Sequence, residues 1–332
     1  VSRKDSNSAR YMDGVKALGE ETAARLLAAA LDALGIAAKF VSPEEAGLLV
    51  TDEYANARPL PESMRNLAKN LKKQKKIVVF PGFYGVTGDG HIATFSRGGS
   101  DLTGSLLAAA VQSEVYENFT DVPGIFCTAP DMLLKGKPRR IGRLTFQELR
   151  ELSYSGFSVF HDEAILPVMS LEKPVPIHLR DYRYPDKEGT WIVGDRKYIK
   201  GRIIGIAADK GFVSFTVTKN LMNREILDRA TIDKIMKDIR TELGADNVKV
   251  EKGLAMIAIV GLGMNESIGI AARATRAISR AKVNIEMISQ GASEISIFYA
   301  VKEKDVKIAV SSLYNSLIRY SKTPSLSELY NS

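Results

Sequence analysis

Cysteine and histidine are scarce in this 332-residue sequence, which contains one Cys and three His. The single thiol, Cys127, cannot form an intrachain disulfide, which favours a reducing compartment, so we expect a cytoplasmic protein. So few ligands do not support a zinc cluster or a Ser-His-Asp triad, and we predict no protein-bound metal. His161, which follows an apolar run, is interpreted as structural.

Long hydrophobic runs and the common nucleotide-binding glycine motifs are also missing. The longest apolar stretches, such as Leu26–Leu31 and Leu254–Val260, are far shorter than the roughly 18 residues of a membrane-spanning helix. We therefore predict no membrane partner. The absence of GxxxxGK followed by Ser or Thr, and of GxGxxG, argues against a P-loop enzyme and a Rossmann dehydrogenase.

Positive charge is in modest excess, with 46 Lys and Arg against 39 Asp and Glu. The densest basic run, Lys72–Lys76, has no interleaved aromatic residues and precedes an apolar strand signal, which is typical of a solvated helix end. We therefore predict no nucleic-acid partner and interpret the excess as that of a basic enzyme that handles anions.

Helices and strands alternate over the first 200 residues, which is typical of an α/β layer fold. The predicted elements are helices 11–34, 61–71 and 102–110 and strands 36–41, 77–80 and 115–119. A glycine-rich loop joins strand 77–80 to helix 102–110. A polar stretch before residue 200 marks the predicted end of this domain, 1–200.

The remaining residues predict small α+β units. One unit, 252–322, has the predicted elements strand 255–260, helix 268–281, strands 283–289 and 294–300, and helix 304–317, with a tail at 323–332. A shorter echo, 203–251, has a predicted strand 212–217, helix 231–243 and strand 248–250, and lacks a first helix and the central strand pair. Either this first unit is naturally short, or a segment is missing between Ile226 and Leu227, and we favour the second reading.

The strongest local signal for a binding site is the run Arg97-Gly98-Gly99-Ser100-Asp101, which opens a predicted helix. Consecutive glycines let backbone N–H groups approach an anion, and the helix N-terminus adds a positive dipole end. Arg97 offers a planar donor fork for a carboxylate. Asp101 either binds an ammonium group or caps the helix, and a glycine pair alone is also common in plain turns.

Two further segments contain candidate binding residues. Gly19-Glu20-Glu21 lies in the first helix, where we expect only one of the two glutamates to have a functional role. Thr120-Asp121 lies at the end of a predicted strand. In open α/β sheets that edge commonly holds a nucleotide, although a plain turn is the alternative.

Four stretches, in this order, resemble the aspartokinases of the amino-acid-kinase family: Ala17–Glu20, Pro81–Phe83, Thr94–Asp101 and Asn118–Val122. The second half resembles a tandem of ACT regulatory modules, with Val283–Ile288 similar to a strand of the second module. The resemblance implies an α/β fold, in which an open sheet sandwiched by helices in three layers is followed by ferredoxin-like α+β ACT modules.

The resemblance also implies an activity, the transfer of a phosphoryl group from ATP, with Mg²⁺, to L-aspartate. Arg97 and Asp101 take catalytic roles, and the implied aspartate-binding residues are Glu20, Arg97, Gly98, Gly99, Ser100 and Asp101. The implied ATP-binding residues are Thr120, Asp121, Phe126, Pro130 and Ser158. Phe126 and Ser158 depart from the usual tyrosine and lysine, and the family's Lys-Phe-Gly-Gly segment has no match before Tyr11.

Regulation by an amino acid is a further implication. Met222 and Asn223 lie in a loop where the family places effector contacts, although Asn223 alone also fits an ordinary turn. Lysine is preferred over threonine because residues 156–164 resemble the lysine-pathway branch. The ACT modules imply a homodimer or larger assembly. A non-catalytic amino-acid sensor built on a kinase remnant is the alternative function.

Overall fold

A computed structural model of the chain describes residues 3–157, 162–218, 247–265, 267–291 and 295–319. These residues belong to two compact units. The first unit contains residues 1–126 and 139–197, and the second contains residues 127–138 and 198–332. The junction Ile226–Leu227, where the sequence suggests a missing segment, lies outside the described residues.

Unit one alternates helices and strands, as the sequence predicts. Its helices are α1 (Arg3–Ala33), α2 (Pro43–Ala46), α3 (Pro61–Leu71), α4 (Gly99–Val111), α5 (Phe146–Ser153) and α6 (Leu166–Met169). Its strands are β1 (Ala38–Phe40), β2 (Ile77–Val79), β3 (Tyr84–Val86), β4 (Ile92–Thr94), β5 (Tyr116–Thr120), β6 (Arg143–Thr145), β7 (Ile177–Asp181) and β8 (Thr190–Val193).

The strands of unit one form three sheets. Strands β1 and β2 pair in parallel, β3 and β4 form an antiparallel pair, and the third sheet has the order β5-β7-β8-β6. Within the described part of the chain, β2 pairs only with β1 and β5 only with β7, so the open sheet expected from the sequence is not continuous there. The parallel pairing of β5 with β7 places their carboxyl ends, Thr120 and Asp181, side by side.

Two helices of unit one begin earlier than the apolar pattern predicts. Helix α1 starts at Arg3, in a polar stretch without apolar periodicity, and ends before Gly35, whose φ of 80° matches the predicted glycine stop. Helix α4 starts at Gly99 because Gly98, with φ 81°, already turns the chain into the helix. The prediction of α3 at 61–71 is confirmed.

A buried carboxylate connects three elements of unit one. The side chain of Asp13, on α1, is only 1% exposed. Its Oδ2 accepts hydrogen bonds from the backbone amides of Ala55 at 2.7 Å and Thr94 at 2.8 Å, and its Oδ1 lies 3.5 Å from the Lys16 Nζ. Asp13 therefore joins α1 to the loop before α3 and to β4, whose end leads directly to Arg97.

Unit two is built around a four-stranded antiparallel sheet. Its elements are β9 (Gly205–Thr218), β10 (Asn247–Val260), α7 (Ile270–Arg280), β11 (Met287–Gln290), β12 (Ser296–Lys302) and α8 (Val306–Tyr314). The sheet has the order β11-β12-β10-β9. The helix, strand pair and helix predicted for 252–322 are therefore present.

The sequence-based division at 251/252 falls inside β10. This strand is continuous from Asn247 to Val260, with a register shift opposite β9 between Glu251 and Leu254. Both strands of the predicted short unit thus pair in the same sheet as the longer one. The helix predicted at 231–243 lies outside the described residues, and the two-unit division stays a prediction.

The segment 127–138 leaves unit one and packs in unit two. The Ile206 amide donates to the Cys127 carbonyl at 2.7 Å, and the Leu134 amide donates to the Ser311 Oγ at 2.8 Å. Pro130–Met132 forms a short 3₁₀ helix that packs against α8. On either side of this segment, Phe126 and Arg140 form a β-bridge within unit one.

We predict that Asp13→Ala strongly destabilises unit one. The substitution leaves the Ala55 and Thr94 amides without their acceptor, and a buried unpaired donor costs about 1–3 kcal/mol. Urea denaturation followed by circular dichroism measures the change, with Asp52→Ala, at an exposed position of the neighbouring loop, as the control. Equal stability of the two variants would contradict the structural role of Asp13.

Candidate functional site

The glycine turn before α4 presents a helix N-terminus. Gly98 occupies the N-cap position with a left-handed backbone, and no side chain caps the helix there. The first backbone N–H groups of a helix have no partners within the helix, and they carry the positive end of its dipole. The turn therefore offers backbone donors of the kind that bind anions, with Arg97 and Ser100 exposed beside it, and its role as an anion site stays a prediction.

Close packing fixes the position of this turn. A Cβ at Gly99 would lie 2.7 Å from the Phe95 Cβ and 2.8 Å from the Phe83 ring. A Cβ at Gly82 would lie 3.0 Å from the Ser100 Oγ. The loop after β2 therefore packs directly against the start of α4. Gly99 is needed for this approach, whereas a side chain at Gly82 would require Ser100 to shift by a few tenths of an ångström.

Phe83 is a residue that the sequence reasoning did not single out for function. Its φ of 77° is unusual for a bulky residue and marks local strain of the kind that often occurs at functional sites. Its backbone is held on both sides, since its amide donates to the Thr103 Oγ1 at 3.0 Å and its carbonyl accepts from the Phe95 amide at 2.9 Å.

Asp101 does not cap α4, in contrast to one of the two roles left open by the sequence. It lies in the first turn of the helix, after the Gly98 cap, and its Oδ1 accepts a hydrogen bond from the Asn118 Nδ2 at 2.8 Å. No other described residue donates to this carboxylate, so Oδ2 is available to a ligand. The contact joins the glycine turn to β5, which ends at Thr120.

Tyr116 supports the same contact. Its hydroxyl lies 3.0 Å from the Asn118 Nδ2 and 3.4 Å from the Asp101 carbonyl oxygen. Burial raises the pKa of Tyr116 to about 12, so the phenol stays neutral and able to donate. Tyr116, Asn118 and Thr120 alternate along β5 on its less exposed face, and this period of two is the sequence signal that could have identified Asn118.

The two glutamates of α1 have different surroundings. Glu21 accepts two hydrogen bonds from Arg25, at 2.9 and 2.6 Å, and lies 3.5 Å from the Tyr84 hydroxyl. Burial and then the Glu21 charge raise the pKa of Tyr84. Glu20 is exposed and has no hydrogen bond to a described residue, so it is the carboxylate that remains available to a ligand.

The predicted nucleotide residues are only partly brought together. Thr120 is the last residue of β5, Asp121 follows it, and Phe126 lies further along the same loop in unit one. Pro130 belongs to unit two. Ser158, with His161 nearby in sequence, lies outside the described residues, as do Met222 and Asn223.

Two other features, a metal-ligand cluster and a membrane-spanning helix, are absent from the described residues. No group of three or more His, Cys, Asp or Glu within the described ranges could hold a metal ion. Those same ranges contain no helix of the length and apolar character needed to cross a membrane.

Comparison with known proteins identifies the family. Residues 2–181 match the amino acid kinase family, and residues 257–317 match the ACT domain. Aspartokinase 3 of Bacillus subtilis (strain 168) is 42% identical over 344 residues, which cover 93% of this chain and 75% of that protein. The chain belongs to the aspartokinase family.

Solved aspartokinase structures agree with this assignment. The aspartate kinase of Clostridium acetobutylicum superposes with a TM-score of 0.78 at 32% identity, over 92% of this chain and 75% of that one. The fold is also shared with E. coli aspartokinase III in complex with aspartate and ADP, at a TM-score of 0.71 and 22% identity, over 93% of this chain and 76% of that one. The predicted fold class is confirmed, and an aspartokinase-family enzyme is favoured over a non-catalytic sensor.

We predict that Gly99→Ala disrupts the glycine turn of this aspartokinase. The added methyl group would overlap Phe95 and Phe83, and overpacking of this kind costs about 1–3 kcal/mol. Thermal denaturation measures the loss of stability. Gly88→Ala is the matched control, because a Cβ at Gly88 meets no atom within 4 Å. A Gly99→Ala variant as stable as Gly88→Ala would show that the turn is less tightly packed than described.

Proposed function

We propose that the chain transfers the γ-phosphoryl group of ATP to the side-chain carboxylate of L-aspartate and forms 4-phospho-L-aspartate. This reaction would be the first step of the pathway to lysine, threonine and methionine. The observation that carries the proposal is the 2.8 Å hydrogen bond from Asn118 to Asp101. It links the Arg97–Asp101 turn, which suits an amino acid, to the β5 end, which suits a nucleotide.

The aspartate would bind at the glycine turn and α1. Arg97 would hold a carboxylate of the substrate through paired charge-assisted hydrogen bonds, together with the Gly98, Gly99 and Ser100 segment. Asp101, through its unoccupied Oδ2, and the exposed Glu20 would face the substrate ammonium group. Arg97 and Asp101 are therefore the proposed catalytic residues.

The nucleotide would lie beyond the end of β5. Thr120, Asp121 and Phe126 are the proposed contacts in unit one, with Pro130 and Ser158 as further candidates. Mg²⁺ would arrive with ATP as part of the substrate, since this ion is usually held by phosphate oxygens, water and one or two carboxylates rather than by a protein cage.

The chemistry requires positioning more than proton transfer. An aspartate carboxylate is already ionised at neutral pH, so the acceptor needs no general base. The main barrier is the negative charge that accumulates on the transferring phosphoryl group and the two oxygens that flank it. Preorganised donors such as helix N-terminal amides and an arginine reduce that barrier without reorganisation.

Substitution of Arg97 tests the proposal. We expect Arg97→Ala to raise the aspartate KM roughly tenfold to a hundredfold, because a charge-assisted hydrogen bond is worth about 1.5–3 kcal/mol, while the ATP KM changes little. A coupled assay of ADP release with Mg²⁺, ATP and aspartate measures both constants. Arg65→Ala, at an exposed position of α3, is the control. A rise in the ATP KM with an unchanged aspartate KM would assign the turn to the nucleotide instead.

We further propose a cytoplasmic homodimer, or a larger assembly, regulated by lysine through the ACT units. The match of residues 257–317 to the ACT domain supports regulation by a small molecule. Strand β11 supports an assembly, because Met287–Gln290 is exposed and pairs only with β12 in the described sheet. An open edge of this kind readily pairs with a second copy. The single cysteine agrees with a reducing compartment.

We predict that lysine inhibits the enzyme by binding at the segment that contains Met222 and Asn223. Coupling between such sites is typically worth about 1–3 kcal/mol, which corresponds to a change of roughly 5-fold to 150-fold in affinity. Calorimetric titration of the whole chain with lysine measures binding, and the kinase assay measures inhibition. Saturable heat with threonine and none with lysine would overturn the choice of effector, and no heat with either would overturn the regulatory proposal.

A further inference from the structure

The strand ends beside the proposed nucleotide site carry a cluster of charged and aromatic side chains. Thr120 is the last residue of β5 and pairs with Asp181, the last residue of β7. Directly after Asp181 the chain reads Tyr182-Arg183-Tyr184. None of the four residues 181–184 has a role in the function proposed above.

A buried carboxylate and a partly exposed guanidinium form the centre of this cluster. The Asp181 side chain is 2% exposed, whereas that of Arg183 is 48% exposed. The Asp181 Oδ1 accepts from the Arg183 Nε at 2.9 Å and from the Arg183 amide at 3.0 Å, and its Oδ2 accepts from the second guanidinium nitrogen at 2.9 Å. These hydrogen bonds lower the pKa of Asp181, so the pair stays charged at neutral pH.

The same guanidinium reaches the end of β5. Its terminal nitrogen also donates to the Asp121 carbonyl oxygen. The neighbouring Tyr182 amide donates to the Thr120 carbonyl at 3.0 Å. Consecutive carbonyls of the Thr120–Asp121 pair are thus held by consecutive residues of the β7 turn.

Two aromatic rings restrict the guanidinium further. The Arg183 Cζ lies 5.8 Å from the centre of the Tyr182 ring and 6.0 Å from that of Tyr184. Both rings are at the outer limit of favourable cation–π distances. Arg183 is therefore held by a bidentate ion pair and a carbonyl acceptor, with two rings at the edge of cation–π range.

We propose that Arg183 is a positioning residue for the nucleotide site, and that Asp181 orients the Arg183 guanidinium. Arg183 holds the Asp121 carbonyl and thereby fixes the backbone conformation in which Thr120 and Asp121 meet ATP. The inference rests on the proposed function, because it assigns Thr120 and Asp121 to the nucleotide. A preorganised loop binds more tightly, since the cost of ordering it has been met before the ligand arrives.

The expected signature is a selective loss of nucleotide affinity. Arg183→Ala removes the donor to Asp121, and we expect the Kd of ADP and the KM of ATP to rise about tenfold. The aspartate KM should stay near its original value, because Arg97 and Glu20 are untouched. Arg183→Lys keeps the charge but cannot form the bidentate pair and reach Asp121 together, so it should have an intermediate effect.

Arg180→Ala is the matched control. Arg180 lies on β7 just before Asp181. Its guanidinium donates to the Glu117 Oε1 at 2.8 Å and to the Pro185 carbonyl and lies 5.4 Å from the Phe119 ring centre, and among the described residues it has no side-chain hydrogen bond to Thr120 or Asp121. Its removal should leave ADP binding unchanged. Thermal denaturation of all variants verifies folding, and Arg183→Lys provides the measurement if Arg183→Ala does not fold.

Calorimetric titration with ADP and the kinase assay together separate the outcomes. Binding of ADP to the original chain, with unchanged affinity in folded Arg183 variants, would overturn the positioning role alone. Equal increases in both Michaelis constants would also overturn it, since they indicate a general structural defect. An original chain that binds no ADP would overturn the proposed function and this inference together.

Discussion

The buried carboxylate of Asp13 is the interaction on which the arrangement of unit one depends. It belongs to the helix that carries Glu20, and it holds the strand that ends just before Arg97. The side chains of Glu20 and Arg97, which are far apart in sequence, are thereby connected through the Asp13 Oδ2. A charged group at 1% exposure is tolerated only when its hydrogen bonds are made, so any shift of α1 against β4 would carry a penalty. The geometry between α1 and the glycine turn is rigid for that reason.

From the glycine turn, a second set of contacts leads towards the proposed nucleotide site at the end of β5. Gly99 allows Phe83 to pack against α4, Asp101 reaches Asn118, and β5 then carries the chain to Thr120. These contacts are short and hold the glycine turn and β5 in one arrangement. A reaction that depends on bringing two anions together benefits from such rigidity, because positional error of even 1 Å is costly in rate.

Much of this architecture could be predicted from local sequence, and the remainder could not for a physical reason. The glycine turn and the bounds of α3 follow from short-range propensities, because glycine and apolar periodicity act within a few residues. The partner of Asp101 and the acceptor role of Asp13 depend on residues 17 and 81 positions away, respectively. The residue type left a capping role open for Asp101, but Gly98 occupies the cap position and the Asp101 carboxylate contacts β5 instead. The backbone strain at Phe83 is likewise set by packing and has no local signature.

The segment 127–138 has a consequence for how such a protein can be divided or recombined. It is encoded within the kinase half, yet it supplies the Cys127 carbonyl and the Leu134 amide to the sheet and helix of the regulatory half. A fragment that starts at Tyr198 would leave the Ile206 amide and the Ser311 hydroxyl without these partners. A regulatory unit transferred to another kinase by gene fusion would therefore fit only a host whose own loop offers matching backbone groups. The segment 127–138 and the regulatory unit that it contacts must therefore be exchanged together.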